Sequence, residues 1–188
     1  MGIGDHVKTV GILGCGWIGY PLAVELVRLG FDVYGSTTQA QHIDKLKNAG
    51  LKRVFQGKLQ PEWSGDDIKD LCNTDLLILC FPPGKTSEEN FHLKQMEALS
   101  KQIGTHTKVI YTSSTSVYPE LCREVFEDDV TDLSHTAHLK IMKAEVYLKE
   151  HVGDRLIILR CGGLTGWNRN LAKFFAGKTN LQGKDVPV

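Results

Sequence analysis

No apolar run in this 188-residue chain exceeds six residues. The longest, LLILCF at residues 76–81, falls far short of the ~20 residues that cross a bilayer, so no membrane partner is expected. Charge of one sign is lacking too, because 22 Lys and Arg balance 22 Asp and Glu. A balanced surface has no electrostatic footprint for nucleic acid or an anionic membrane. The N-terminal MGIGDHVKT is polar and lacks a charged-then-apolar leader pattern. The expected compartment is the cytoplasm. Cysteine is sparse and odd in number, at Cys15, Cys72, Cys80, Cys122 and Cys161, with no CxxC spacing. That argues against a disulfide framework and a zinc site. Cys80 and Cys161, in or beside apolar strands, read as small hydrophobes. Seven histidines show no HExxH pattern, and no metal is assigned.

What is present is alternation. Short β-branched runs such as KTVGILG, FDVYGST, KRVFQG, DLLILCF, KVIYTSS and RLIILRCGG are separated by helical patterns. YPLAVELVRLG has Pro21 in its first turn and Gly30 as its stop. TSEENFHLKQMEALSKQIG reads as a helix starting at Thr86 or Ser87, with Glu88 and Glu89 in its first turn. KLQPEWSGDD reads as a polar, turn-rich link. Alternating strands and helices of this length imply parallel pairing through right-handed crossovers. The expected fold is α/β, a Rossmann doubly wound sheet in the order 3-2-1-4-5-6. Residues 1–166 are expected to form this Rossmann domain. Residues 167–188 would begin a substrate-binding region that is truncated or absent, with NLAKFFAGK as a short helix.

Between the first strand and first helix lies GxGxxG, formed by Gly14, Gly16 and Gly19. Gly14 permits the tight turn, Gly16 lets the backbone approach a pyrophosphate, and Gly19 lets the helix pack on the strand. The helix N-terminus offers N–H groups and a positive dipole end to phosphates. Trp17 and Ile18 complete this candidate cofactor loop. An NAD-specific site usually places an acid at the carboxyl end of the second strand. Here that end reads GSTTQ, and Asp32 stands at the opposite end. Ser36, Thr37 and Thr38 are suited to donate hydrogen bonds to a 2′-phosphate, which favours NADP over NAD. No arginine is there to clamp it, and the same hydroxyls are also suited to cap a helix. CFPPG ends the fourth strand at the crevice where doubly wound sheets bind ligands, so Phe81, Pro82, Pro83 and Gly84 are candidates to line the cofactor.

The fifth strand ends in the hydroxyl cluster YTSSTSVYP. SSTSVYP resembles the SSxxVYG segment of the extended short-chain dehydrogenases/reductases, the NAD-dependent nucleotide-sugar epimerase and dehydratase family. LRCGGLTG (residues 159–166) is similar to that family's LRxxxxYG segment, and the resemblance spans essentially the whole chain. It implies that Ser114 hydrogen-bonds the substrate's reacting oxygen and that Thr112 and Ser113 lie beside the cofactor. It also implies a proton-transferring YxxxK dyad, and here the chain departs: Ala137 and Ile141 stand where the tyrosine and lysine belong. His138 is the remaining acid/base candidate near neutral pH, set against a reading in which His138, Lys140 and Lys143 form a solvated helix face.

The implied function is that of an atypical member: an oxidoreductase or epimerase acting on a nucleotide-sugar-like or small carbonyl substrate, with a homodimer as a candidate assembly. Against it stands a non-catalytic NAD(P)-binding or sensor module. A third reading is a Rossmann domain of the 6-phosphogluconate or prephenate dehydrogenase kind, which the glycine loop suits but TSSTSVYP argues against.

Overall fold

The computed structural model describes residues 7–84, 86–166, 169, 172, 175–177 and 179. Seven strands form one sheet: β1 (Thr9–Leu13), β2 (Asp32–Thr37), β3 (Arg53–Gln60), β4 (Glu62–Gly65), β5 (Leu76–Leu79), β6 (Lys108–Ser114) and β7 (Leu156–Cys161). Among these residues five α-helices accompany them: α1 (Gly19–Arg28), α2 (Ile43–Asn48), α3 (Lys69–Cys72), α4 (Phe91–Ser100) and α5 (Leu139–Val152). The strand order is β4-β3-β2-β1-β5-β6-β7. All pairings are parallel except β3 with β4. The parallel part is thus the expected 3-2-1-4-5-6 Rossmann order, with one antiparallel strand added at an edge.

That extra strand corrects the reading of KLQPEWSGDD as a polar, turn-rich link. The third strand runs on to Gln60, turns at Pro61 and returns as β4, with Leu59 opposite Trp63. Trp63 lies so close over Gly57 that a Cβ there would sit 2.2 Å from the indole, and the indole N–H donates to the Asp66 carbonyl at 2.6 Å. The start of α4 also differs from expectation. The helix begins at Phe91 with no acid in its first turn, because the two glutamates ahead of it are held elsewhere. Glu88 pairs with Lys94 at 2.5 Å and Glu89 pairs with Lys143 of α5.

The central strand β5 is buried along its last three residues, as its uninterrupted LLIL requires. On one face Leu77, Leu79, Val109 and Tyr111 pack with Met96 and Leu99 of α4 and Ala144 and Leu148 of α5. On the other, Val10, Ile12, Val33 and Ile78 pack with Ala23 of α1 and Leu46 of α2. Each such aliphatic side chain contributes about 1.5–3 kcal/mol when fully buried. Helix α1 stops as the sequence predicts: Gly30 takes φ +89°, and the N–H of Phe31 reaches back to the Leu26 carbonyl at 3.1 Å, a Schellman closure. The expected helix in NLAKFFAGK and the chain after it fall largely outside the described residues. No helix among the described residues is long and apolar enough to cross a membrane.

Candidate functional site

The carboxyl ends of the parallel strands meet the glycine loop at the switch between β1 and β5. Gly14 has φ +101°, and a Cβ there would lie 2.8 Å from the Cys80 carbonyl, so only glycine fits this turn. At Gly19 a Cβ would sit 2.2 Å from the Gly14 carbonyl, which fixes how closely α1 approaches the loop. Gly16 is different. It is exposed, and nothing lies within 4 Å of where its Cβ would be. The space in front of Gly16 is the kind a pyrophosphate needs, opposite the leading amides of α1.

The end of β2 holds this loop in place. The Gly14 N–H donates to the Ser36 hydroxyl at 2.9 Å, and the Cys15 N–H donates to the Ser36 carbonyl at 2.8 Å. The Thr37 hydroxyl accepts from the Gln39 N–H at 3.2 Å. Ser36 and Thr37 are only 3% and 6% exposed, so their oxygens serve the backbone, while Thr38 stays exposed beside the cavity.

Two cavities run along the strand ends and share a wall, Phe81 and Pro82. The first, about 510 Å³, lies between Gly14, Ser36, Leu59, Trp63 and Gln95, and Gly84 also lines it. The second, about 390 Å³, lies between Gly16, Trp17, Pro83, Ser114, Ile141 and Cys161, with Ile18, Thr112 and Ser113 on its walls as well. Every candidate cofactor residue except Thr37 and Gly19 therefore lines one of the two. A third cavity, about 780 Å³, opens between the glycine loop and α2, bounded by Trp17, Tyr20, Gln39, His42 and Lys45. There the Lys45 ammonium sits 4.0 Å over the Tyr20 ring.

The three hydroxyls at the end of β6 have separate partners. Thr112 donates to the Leu79 carbonyl at 2.8 Å. Ser113 donates to the Glu145 carboxylate. Ser114 accepts from the Ser116 N–H at 3.1 Å, capping the single 3-10 turn that follows. Ser114 thus caps the turn and also lines the second cavity. Behind it lies a buried anchor. Arg160 Nη2 meets Glu145 at 2.7 Å, and the same guanidinium donates to the Tyr118 hydroxyl at 2.9 Å and to the Glu127 and Val130 carbonyls at 3.0 and 2.7 Å.

His138 is half-buried immediately before α5, its N–H donating to Thr136 at 3.1 Å, and it is not among the residues that line the crevice. Lys140 and Lys143 do not form a solvated face. Lys140 donates to the Thr86 carbonyl at 2.6 Å, and Lys143 to Glu89 and, at 2.8 Å, to Asn90. Together they strap the segment after Gly84 to α5. Ile141, which the resemblance sets in the place of the dyad lysine, is buried and lines the crevice.

Beneath the shared wall runs a buried relay that the sequence did not disclose. Gln95 donates to the Leu59 carbonyl at 2.7 Å, so its Oε1 accepts from His92 Nδ1 at 2.8 Å. His92 Nε2 is left to accept from the Tyr111 hydroxyl at 2.8 Å. Burial pushes the His92 pKa below its usual value and the Tyr111 phenol above its own. Burial likewise pushes the Cys80 thiol up to about 12, which keeps it protonated and unreactive.

Comparison with known proteins agrees with this architecture. No family model matches the chain. "Protein YeeZ" of Escherichia coli K12 is 31% identical over 183 residues, covering 95% of this chain and 66% of that protein. The chain therefore spans just under two thirds of that relative's length. Among solved structures, a provisionally assigned NAD-dependent epimerase/dehydratase of Bacillus halodurans superposes with a TM-score of 0.59 at 16% identity, over 85% of this chain and 72% of that one. Gre2 of Candida albicans, solved as an NADPH complex, gives 0.57 at 11% identity, over 80% and 56%. These likenesses are of fold: the chain shares its α/β architecture with both structures.

Proposed function

We propose that the chain binds NADP(H), or less favourably NAD(H), and serves an oxidoreductase or epimerase of the extended short-chain dehydrogenase/reductase type. Its substrate is nucleotide-sugar-like or a small carbonyl compound. The observation that carries this reading is the pair of cavities joined at Phe81 and Pro82 in front of an open Gly16. Adenosine fits the cavity beside Ser36 and Trp63, the pyrophosphate fits the Gly16 side of the loop, and the nicotinamide fits the crevice beside Ser114. When bound, the nicotinamide supplies hydride chemistry. The protein's own contribution is to hold and orient. Ser114 directs its O–H at the reacting oxygen, and Ile141 and Phe81 keep water from that face.

Support for NADP rests on the third cavity. With Ser36 and Thr37 committed to the loop, Gln39, His42 and Lys45 of that cavity are the groups left to meet a 2′-phosphate, with Thr38 lining the first cavity, and Lys45 brings the charge.

A second reading, a non-catalytic NAD(P) module, is favoured by one observation: Ile141 faces the crevice where a proton-transferring dyad would need a lysine. Calorimetry of NADP(H) and NAD(H) with the wild type and Gly16→Val tests the binding. Wild-type binding lost in Gly16→Val, at unchanged melting temperature, supports the assignment. Undiminished affinity in the variant sinks it. Stereospecific hydride exchange between bound cofactor and a carbonyl substrate separates the two readings.

A further inference from the structure

The crevice beside Ser114 is lined by uncharged side chains with one exception. Among its described lining residues, only Arg169 carries a formal charge. Arg169 follows β7 and is fixed at both ends of its reach. Its backbone pairs with Gly166, the Gly166 N–H donating to it at 3.0 Å and its own N–H returning a bond at 2.6 Å. Its guanidinium lies 4.5 Å over the ring of Trp17 in the glycine loop. Stacking on an aromatic face engages the plane of a guanidinium and leaves its edge N–H donors for an oxyanion. Among the described residues no carboxylate pairs with Arg169.

We propose that Arg169 is the anion anchor of the substrate site, so that the substrate carries a carboxylate or phosphate oxyanion at one end and presents its reacting oxygen to Ser114 at the other. The inference rests on the reading of this crevice as the nicotinamide end of the site. Arg169 lines this cavity together with Cys161 and Leu164 and does not line the adenosine cavity. Because Trp17 adjoins Gly16, the cofactor's own pyrophosphate is the rival anion, and dinucleotide affinity in the Arg169 variants separates the two. A planar fork held over a ring suits bidentate recognition of a carboxylate or phosphate.

Calorimetry on the full chain saturated with dinucleotide tests this with three probes: malonate for the carboxylate source, uridine monophosphate for the phosphate source, and uridine as the neutral control. Arg169→Ala is expected to weaken whichever anion binds by about tenfold or more, as loss of a hydrogen bond to a charged group implies. Uridine binding and dinucleotide affinity stay unchanged, and Arg169→Lys recovers part of the loss. Failure of both anions to bind the wild type overturns the proposal. So does equal anion affinity in Arg169→Ala, or a loss that falls on dinucleotide affinity, which makes the residue a pyrophosphate clamp. If no dinucleotide binds at all, the proposed function fails by its own test. The same titrations without dinucleotide then still decide Arg169: anion binding weakened in Arg169→Ala supports it, and no anion binding or equal affinity overturns it.

Discussion

Arg160 of β7 and Glu145 of α5 form an ion pair at 2.7 Å with side chains only 9% and 0% exposed. Removing one partner strands the other charge in the core, which typically costs about 3–5 kcal/mol. Glu145→Gln and Arg160→Met should each lower the urea midpoint by that order, and the double variant should lose less than the sum. Additive losses would mean the two residues act independently.

The hydroxyls on either side of this anchor should behave differently. Ser114→Ala is expected to leave dinucleotide affinity unchanged and to reduce turnover by about 10²–10³-fold, as for a hydrogen bond aimed at developing charge. Ser113→Ala removes a bond to the buried Glu145 and should lower stability by about 1–3 kcal/mol. Denaturation midpoints and turnover on the same pair of variants check this. A Ser114→Ala protein of undiminished turnover would assign that hydroxyl to the turn alone.

The contrast shows what the sequence made legible. Gly14 and Gly19 announce their roles because each meets a steric demand set by its immediate neighbours, while Gly16 faces open space, and the strand order follows from alternation. The β3–β4 hairpin did not announce itself. Pro61, Gly65 and the acids around them read as a turn, and β4 gains its strand character from pairing with β3 and from Trp63 lying over Gly57, contacts that periodicity does not encode. Ser36 and Ser114 stood out as hydroxyls near a ligand site, yet their backbone partners depend on how the loop and the 3-10 turn close. Lys45 and Arg169 are distant in sequence from the motifs they flank.

Cofactor preference gives a third test. If Lys45 meets the 2′-phosphate, NADP(H) should bind more tightly than NAD(H), and added salt should shrink the difference. Lys45→Glu should then reduce the preference by about two- to fivefold, the range of an exposed charge contact, with NAD(H) affinity little altered. Equal affinities for the two dinucleotides at low salt would remove the 2′-phosphate from the third cavity.

The buried relay sets a pH dependence. Burial, the largest cause, holds the folded-state His92 pKa below its usual 6.5, so the unfolded chain binds the extra proton first as pH falls. The stability this contributes is complete above about 6.5 and declines from there as pH falls toward the folded value. The wild type should therefore lose melting temperature between pH 7 and about 5, and His92→Gln, which cannot take up that proton, should show a shallower slope. Parallel slopes would place the sensitivity in other groups.

The Glu145–Arg160 pair also bears on how a ligand would be received. Ser113, Tyr118, Glu127 and Val130 all bond to one or other member of the pair, so the strand end and the segment that follows it share one rigid foundation. Ser114 and its turn are built on that foundation before anything binds. A ligand arriving there has little disorder to quench, and more of its contact free energy is expressed as affinity. For such a ligand the rim of the crevice on the β6 side would be a mould, its selectivity written in shape rather than acquired by folding around the guest.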